Sequence, residues 1–229
     1  MTEYKWFPAT DIANSVHEAL AECIEAGYIP PPSWDSIEQR IINPTSGKFW
    51  ELHHTLGLVG SLILDGEQCK FVANIPLDPN TDPDYIERMI KKGLLVDGAC
   101  PLSDSDKNII VNTNDRRDKA NNLICSIKPL TEWRKKSYVL TFEEALTHPM
   151  CEPACGTLDR ARRYYKTLEE NKFVNLILNE SYIRETTSLL FWDDKGHFVR
   201  PLTLGNLYEP HIASYKEFTF LARFVGWRS

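Results

Sequence analysis

The chain has 229 residues, 42% of them hydrophobic and 25% charged, with 26 basic against 32 acidic side chains and a formal net charge of −6. That balance excludes intrinsic disorder, a collagen-like repeat and a coiled-coil rod as the main architecture, and the length suffices to bury a sizeable core. A mildly acidic chain also gains nothing from bulk attraction to phosphate backbones, so any nucleic-acid contact must come from a local basic patch.

In chain order, the first predicted element is a helix over Asp11 to Ala26. Ile12, Val16, Leu20, Cys23 and Ile24 recur at three- and four-residue spacing, Thr10 or Asp11 can cap the start, and Gly27 stands where a left-handed stop belongs. Ile29-Pro30-Pro31-Pro32 forces an extended connector. A short helix follows over Trp34 to Ile42, stopped before Asn43-Pro44. Leu58 to Leu64 and Glu67 to Ile75 then read as a hairpin about a two-residue Asp65-Gly66 type I′ reversal. Asp82 to Lys92 is a punctuated helix, with Pro83 in its first turn and Lys91-Lys92-Gly93 at its end.

Gly93 to Val111 carries mixed signals. Asp104-Ser105-Asp106-Lys107-Asn108 opens like a calcium loop, but Ile109 stands where glycine is needed for the turn. Asn112 to Asn122 is polar and reads as an exposed loop or solvated helix. Ser137 to Leu140 reads as a strand. Thr141 and Glu144 match a capping box for a two-turn helix ending near Thr147, before Pro149. A longer helix is expected from Thr157 through Asn171. A second hairpin is expected from Thr186 to Arg200 about Asp193 to Gly196, and a last strand from Phe218 to Val225.

Hairpins imply antiparallel pairing, and no strand-helix-strand alternation or internal repeat is visible. The expected class is α+β, with a mainly antiparallel sheet built from hairpins and about four helices packed on it. One domain is expected over 1–229, with 112–122 as the place for a lobe boundary. No window approaches about 18 consecutive apolar residues, so no membrane partner is expected. Met1 to Thr10 has no apolar signal region, and six cysteines spread over this length do not resemble a secreted disulfide scaffold. The expected location is cytoplasmic or nuclear, not secreted, with reduced thiols.

No local motif specifies a reaction: a Walker A loop, G-x-G-x-x-G, H-E-x-x-H and G-x-S-x-G are all missing. Four constellations carry candidate chemistry. His148, Cys151 and Cys155 supply an imidazole and two thiols at C-x3-C spacing, within the range that zinc accepts, although no second half-site accompanies them. The plainer reading is a proline-bounded loop with buried cysteines and a histidine near a helix C-terminus. As a variant, Cys155 before a helix start is a candidate nucleophile, with His148 as its base, or His53 or His54 if folding brings them near. Arg160, Arg162, Arg163, Tyr164 and Lys166 form an acid-free basic and aromatic run, able to hold phosphate or to stack on a base of a nucleic acid. Its structural alternative is a solvated helix face with Leu158, Ala161, Tyr165 and Leu168 as the buried stripe. Adjacent His53 and His54 point apart in any regular element and could share a site only from a turn; one partly buried and one exposed histidine is the expectation.

The aromatic content, 6 Trp, 9 Tyr and 10 Phe, exceeds what two hairpins and four helices must bury. Tyr4, Trp6 and Phe7, or Trp227, are therefore expected at a partner surface, where aromatics act as anchors. The leading expectation is a soluble intracellular interaction or regulatory protein without catalysis, binding a protein partner through an aromatic-bearing face. The alternatives are a small enzyme at His148, Cys151 and Cys155 and a nucleic-acid accessory protein using Arg160 to Lys166.

Overall fold

The computed structural model describes residues 3–8, 14–44, 47–51, 54–64, 68–75, 77, 82–95, 100–114, 116–129, 141–148, 151–171, 177–179, 198–204, 211–213 and 221–228. Its strands are β1 (Glu3–Phe7), β2 (Asn14–Ser15), β3 (His54–Leu64), β4 (Gln68–Ala73), β5 (Cys100–Pro101), β6 (Arg116–Arg117), β7 (Leu123–Pro129), β8 (Ile177–Asn179), β9 (Phe198–Leu204), β10 (His211–Ala213), β11 (Leu221–Ala222) and β12 (Phe224–Arg228). Its helices are α1 (Val16–Glu25), α2 (Ser33–Ile42), α3 (Lys48–Glu51), α4 (Pro83–Lys91), α5 (Asp104–Asn112), α6 (Phe142–Thr147), α7 (Cys151–Cys155) and α8 (Leu158–Glu170).

The main sheet runs β6-β7-β4-β3-β9-β10-β8, with β5 on β9, β12 beside β3, and β1 on β12. The β10–β8 and β12–β3 pairs are parallel and every other described pair is antiparallel. The α+β class and the antiparallel character are therefore as the periodicities indicate. The first hairpin is present as β3 against β4. Its register sets Leu64 opposite Gln68, which leaves three residues between the arms where a type I′ reversal takes two. The reversal itself, the strand expected at 137–140 and the hairpin arm and turn at 186–197 lie outside the described residues. The strand beyond that turn, β9, pairs with β3, β5 and β10.

α1 begins at Val16, later than the apolar pattern indicates. Asn14 and Ser15 pair with β11, and Ser15 rather than Thr10 or Asp11 caps the helix, its backbone N–H donating to Glu18 Oε2 at 3.0 Å. The stop at Gly27 is as expected. With φ +77°, it lets its own N–H reach Ile24 O and lets Tyr28 N–H reach Cys23 O, the double closure of a left-handed helix end. The last strand is split. Leu221–Ala222 pairs with β2, while Phe224–Arg228 turns to pair with β1.

Val16, Leu20 and Cys23 bury one face of α1 against Phe7, Tyr28 and Phe224. Each large apolar side chain removed from water in this way contributes about 1.5–3 kcal/mol. On β4, Val72 and Ala73 are both buried although they point to opposite faces, so the sheet is covered on both sides there. Buried Lys70 donates from Nζ to Ile110 O and Val111 O, 2.8 Å each, placing a cation at the carbonyl end of α5. The calcium-like run at Asp104 is the first turn of α5, capped by Ser103 Oγ, which accepts from Asp106 N–H at 3.1 Å. Among the described residues no helix is long and apolar enough to cross a membrane.

Candidate functional site

The expectation of an aromatic-bearing face places its rings near the chain ends, and the structure sorts them by strand alternation. β1 lies antiparallel to β12, with Tyr4 opposite Trp227 and Trp6 opposite Val225. Phe7 turns inward and is 3% exposed, packed on Tyr28 at 5.3 Å between ring centroids, so it belongs to the core rather than to a partner surface. Tyr4 and Trp6 share the other side of β1 and are half-buried. Trp227 is half-buried as well, and its indole N–H finds no acceptor among the described residues.

Phe49 completes the group. Its ring meets Tyr4 at 5.7 Å and Trp6 at 5.3 Å, edge to face in both cases. Phe49 sits on α3, a four-residue helix that cannot hold itself. It is held from below. Arg40, fully buried, donates from Nε to Phe49 O at 2.8 Å and from Nη1 to the Tyr164 hydroxyl at 3.0 Å, and its guanidinium lies 4.6 Å from the Trp50 ring centre. Trp50 Nε1 donates to Asn43 O at 2.7 Å, tying α3 to the end of α2.

On α2, Asp35, Gln39 and Ile42 share one helical face through their four- and three-residue spacing. Ile42 is 62% exposed. Burial, and then the negative charge of Asp35, hold the Tyr4 hydroxyl above its usual range, with the Gln39 side chain acting in the opposite direction. Burial likewise pushes the Asp35 carboxyl up, and the charge of Glu38 adds to the effect while Arg160 opposes it. The start of α2 is fixed by Asn74, whose φ of +60° aims its amide at the helix. Asn74 Oδ1 accepts from Ser33 N–H at 2.7 Å, and Ser33 Oγ donates to Ala154 O at 2.6 Å.

The basic run of α8 faces inward more than its composition suggests. Arg160 donates from Nε to Glu38 Oε2 at 3.1 Å, and from Nη1 to Asn122 Oδ1 at 2.9 Å and Cys155 O at 2.6 Å. Arg163 grips both Glu38 oxygens at 3.0 Å. Tyr164 is fully buried and stacks on Trp50 at 6.2 Å, so it offers no surface to a base. Lys166 pairs with Glu170 at 3.7 Å, and Arg162 is exposed. Two of the four cations thus clasp α8 to α2 through Glu38, while Ala161, Tyr165 and Leu168 of the expected stripe are buried.

His148, Cys151 and Cys155 lie in consecutive turns of chain. His148 is the C-cap of α6, and its carbonyl accepts from Cys151 N–H at 3.0 Å. Both thiols are fully buried, one turn apart on α7, a helix where the sequence suggests a loop. Tyr165 donates its hydroxyl to Cys151 Sγ at 3.3 Å. The hydrogen bond with Cys151, and then burial, hold the Cys155 thiol well above its usual range. Cys155 ends α7 and stands three residues before α8 begins at Leu158, as expected of a residue ahead of a helix start, but it is fully buried, so the environment favours the thiol where a nucleophile needs thiolate. For zinc, no three His, Cys, Asp or Glu side chains gather as ligands among the described residues. His53 and the side chain of His54 lie outside the described residues.

Phe49, Asp35 and Gln39 are absent from the sequence-derived candidates. The α2 spacing was readable, but what brings Phe49 to β1 is the buried Arg40–Trp50–Tyr164 stack, which joins three separate segments.

The sequence matches no protein-family model and no curated protein. In structure, 99% of the chain is similar to 98% of a solved protein from Nanoarchaeota, described as accommodating massive sequence variation by the C-type lectin fold, with a TM-score of 0.76 at 17% identity. At that identity the likeness shows the fold: this chain has a C-type lectin fold.

Proposed function

We propose that this protein is a non-catalytic binding protein that docks a protein partner on the Tyr4–Trp6–Phe49 face. The observation that carries the reading is the edge-to-face packing of these three half-buried rings, drawn from β1 and α3. Rigid aromatics with part of their surface still in water are the usual anchors of an interface, because they gain area on docking at little entropic cost. The fold supports the reading in a general way, since the solved neighbour is described as a scaffold that tolerates extensive sequence change. The anchors here rest on a buried clasp, so side chains on the face can vary without disturbing the core.

The test is selection of a random peptide library displayed on phage against the intact protein. Enriched peptides are expected to lose binding to Trp6→Ala and Phe49→Ala. Peptides that bind both variants as well as the parent place the binding surface elsewhere and overturn the reading.

A further inference from the structure

Among the described residues β1 pairs with β12 alone, which leaves its other edge without a neighbouring strand. The main-chain bonds of β12 fix which groups lie on that edge. Trp227 donates its N–H to Ile29 O at 2.9 Å and accepts from Ile29 N–H at 3.1 Å, so both of its backbone groups are spent on the side away from β1. In an antiparallel pair, residues directly opposite each other either exchange both bonds or both turn outward. Tyr4 stands opposite Trp227, so its N–H and C=O point out from the edge of β1, where no described residue meets them. The residues on either side carry opposite charge. Glu3 and Lys5 share the other face of the strand, and both are exposed. Lys5 has no ion pair among the described residues, and its ammonium lies 5.4 Å from the Phe7 ring centre and 5.8 Å from that of Tyr28.

We propose that the protein forms a two-fold dimer in which the β1 edges of two copies pair antiparallel about Tyr4. Each Tyr4 N–H then donates to the Tyr4 carbonyl of the other copy, a self-complementary contact of two hydrogen bonds. Charge selects this register. Pairing about Tyr4 sets Glu3 of each copy opposite Lys5 of the other, and opposite charges facing each other across a sheet are stabilising. Arg228, which already bonds Glu3, stands one strand further from that lysine. The next registers in which the outward groups still meet set Lys5 opposite Lys5 or Glu3 opposite Glu3, and like charges there are destabilising. An unpaired edge is a template for another strand, and symmetric pairing covers both edges at once. Opposite residues point to one side of a sheet, so the dimer sets the two Tyr4–Trp6–Phe49 faces side by side. The contact itself uses main-chain groups and the charged face of β1, so it stands apart from the reading of the rings as a docking surface.

The test is sedimentation equilibrium of the intact protein from about 1 μM to about 0.2 mM. The parent protein is expected to pass reversibly from monomer to dimer within that range. Lys5→Glu sets acid against acid at both charged pairs and is expected to weaken the dimer about tenfold or more, while Lys5→Arg keeps it. Lys119→Glu makes the same change in net charge between β6 and β7, across the sheet from β1, and is expected to leave the dimer unchanged. Tyr4→Pro removes the outward N–H without taking a bond from the β1–β12 ladder, as proline on an edge strand allows, and is expected to leave only monomer. If that variant does not fold, Lys5→Glu decides. A parent protein that stays monomeric at about 0.2 mM overturns the inference. So does a dimer that Lys5→Glu leaves as tight as before, or that Lys119→Glu weakens equally.

Discussion

Gly156 shows how tightly single positions are fitted around the clasp beneath the face. Its φ is +79°, and a Cβ there would stand 2.5 Å from Asn122 Oδ1 and 2.6 Å from Arg160 Nη1. Gly156→Ala is expected to cost about 2 kcal/mol or more, combining backbone strain with a displaced hydrogen-bond network. Gly27→Ala, at a similar φ but with nothing within 4 Å, is expected to show about half of that. Urea midpoints measure both, and an unperturbed Gly156→Ala contradicts the packing described. Two carboxylates on α2 make opposite statements about pH. The hydrogen bonds from Arg163, set against some burial and helped by Arg160, hold Glu38 below its ordinary 4.5. Its contribution is therefore present above that value and lost as pH falls through the lower folded value. Burial holds Asp35 above its ordinary 3.8, so its contribution is present below 3.8 and lost as pH rises through the higher folded value. Melting temperatures across this acidic range are expected to lose part of their acid-side fall in Glu38→Gln, and part of their fall with rising pH in Asp35→Asn. The same direction of change in both variants contradicts the assignment.

At the scale of elements, α8 is an internal strut more than a binding rod. Arg160→Ala removes hydrogen bonds to Glu38, Asn122 and the Cys155 carbonyl, and leaves partly buried acceptors without a donor. It is expected to destabilise the protein by about 2–3 kcal/mol. Arg162→Ala, on the exposed side of the same helix, is expected to stay within about 0.5 kcal/mol. Denaturant unfolding separates the two, and equal effects refute the strut. The element scale is also where the sequence is most readable. The capping box of Thr141 and Glu144, the Pro83 start and the Gly27 stop act within a few residues of themselves, and all three are found where their chemistry puts them. α5 was hidden because Ser103 is a cap whose helix opens with Asp104-Ser105-Asp106, residues that also suit loops. α7 was hidden because Pro153 lies in it and the helix is only five residues long. The late start of α1 is a tertiary effect: Asn14 and Ser15 are drawn into pairing with a strand some two hundred residues away in sequence.

For the whole molecule, hairpin periodicity sufficed for the α+β class, while the closure did not announce itself. β1 at one end of the sequence zips onto β12 at the other, from Glu3 opposite Arg228 to Phe7 opposite Phe224. Arg228 seals the outer end of that pair, donating to Glu3 Oε2 at 2.8 Å from Nε, while the Tyr28 hydroxyl donates to Glu3 Oε1 at 2.7 Å. Contacts of such sequence separation leave no periodic trace in either segment. For the same reason Tyr4 and Trp6 could be suspected as surface aromatics from sequence, while the packing of Phe49 on both rings could not. Within Arg160 to Lys166, the most conspicuous local run, Arg160 and Arg163 join α8 to α2 through Glu38.

If the aromatic face, and not the exposed side of α8, meets the partner, the two surfaces must respond differently to truncation. Calorimetric titration of a library-selected peptide into the parent protein, Trp6→Ala and Arg162→Ala tests this most directly. Trp6→Ala is expected to weaken binding by about 30-fold, the loss of one interface anchor, and Arg162→Ala to leave the affinity unchanged. The reverse pattern, with Trp6→Ala silent and Arg162→Ala damaging, contradicts the assignment of the docking surface.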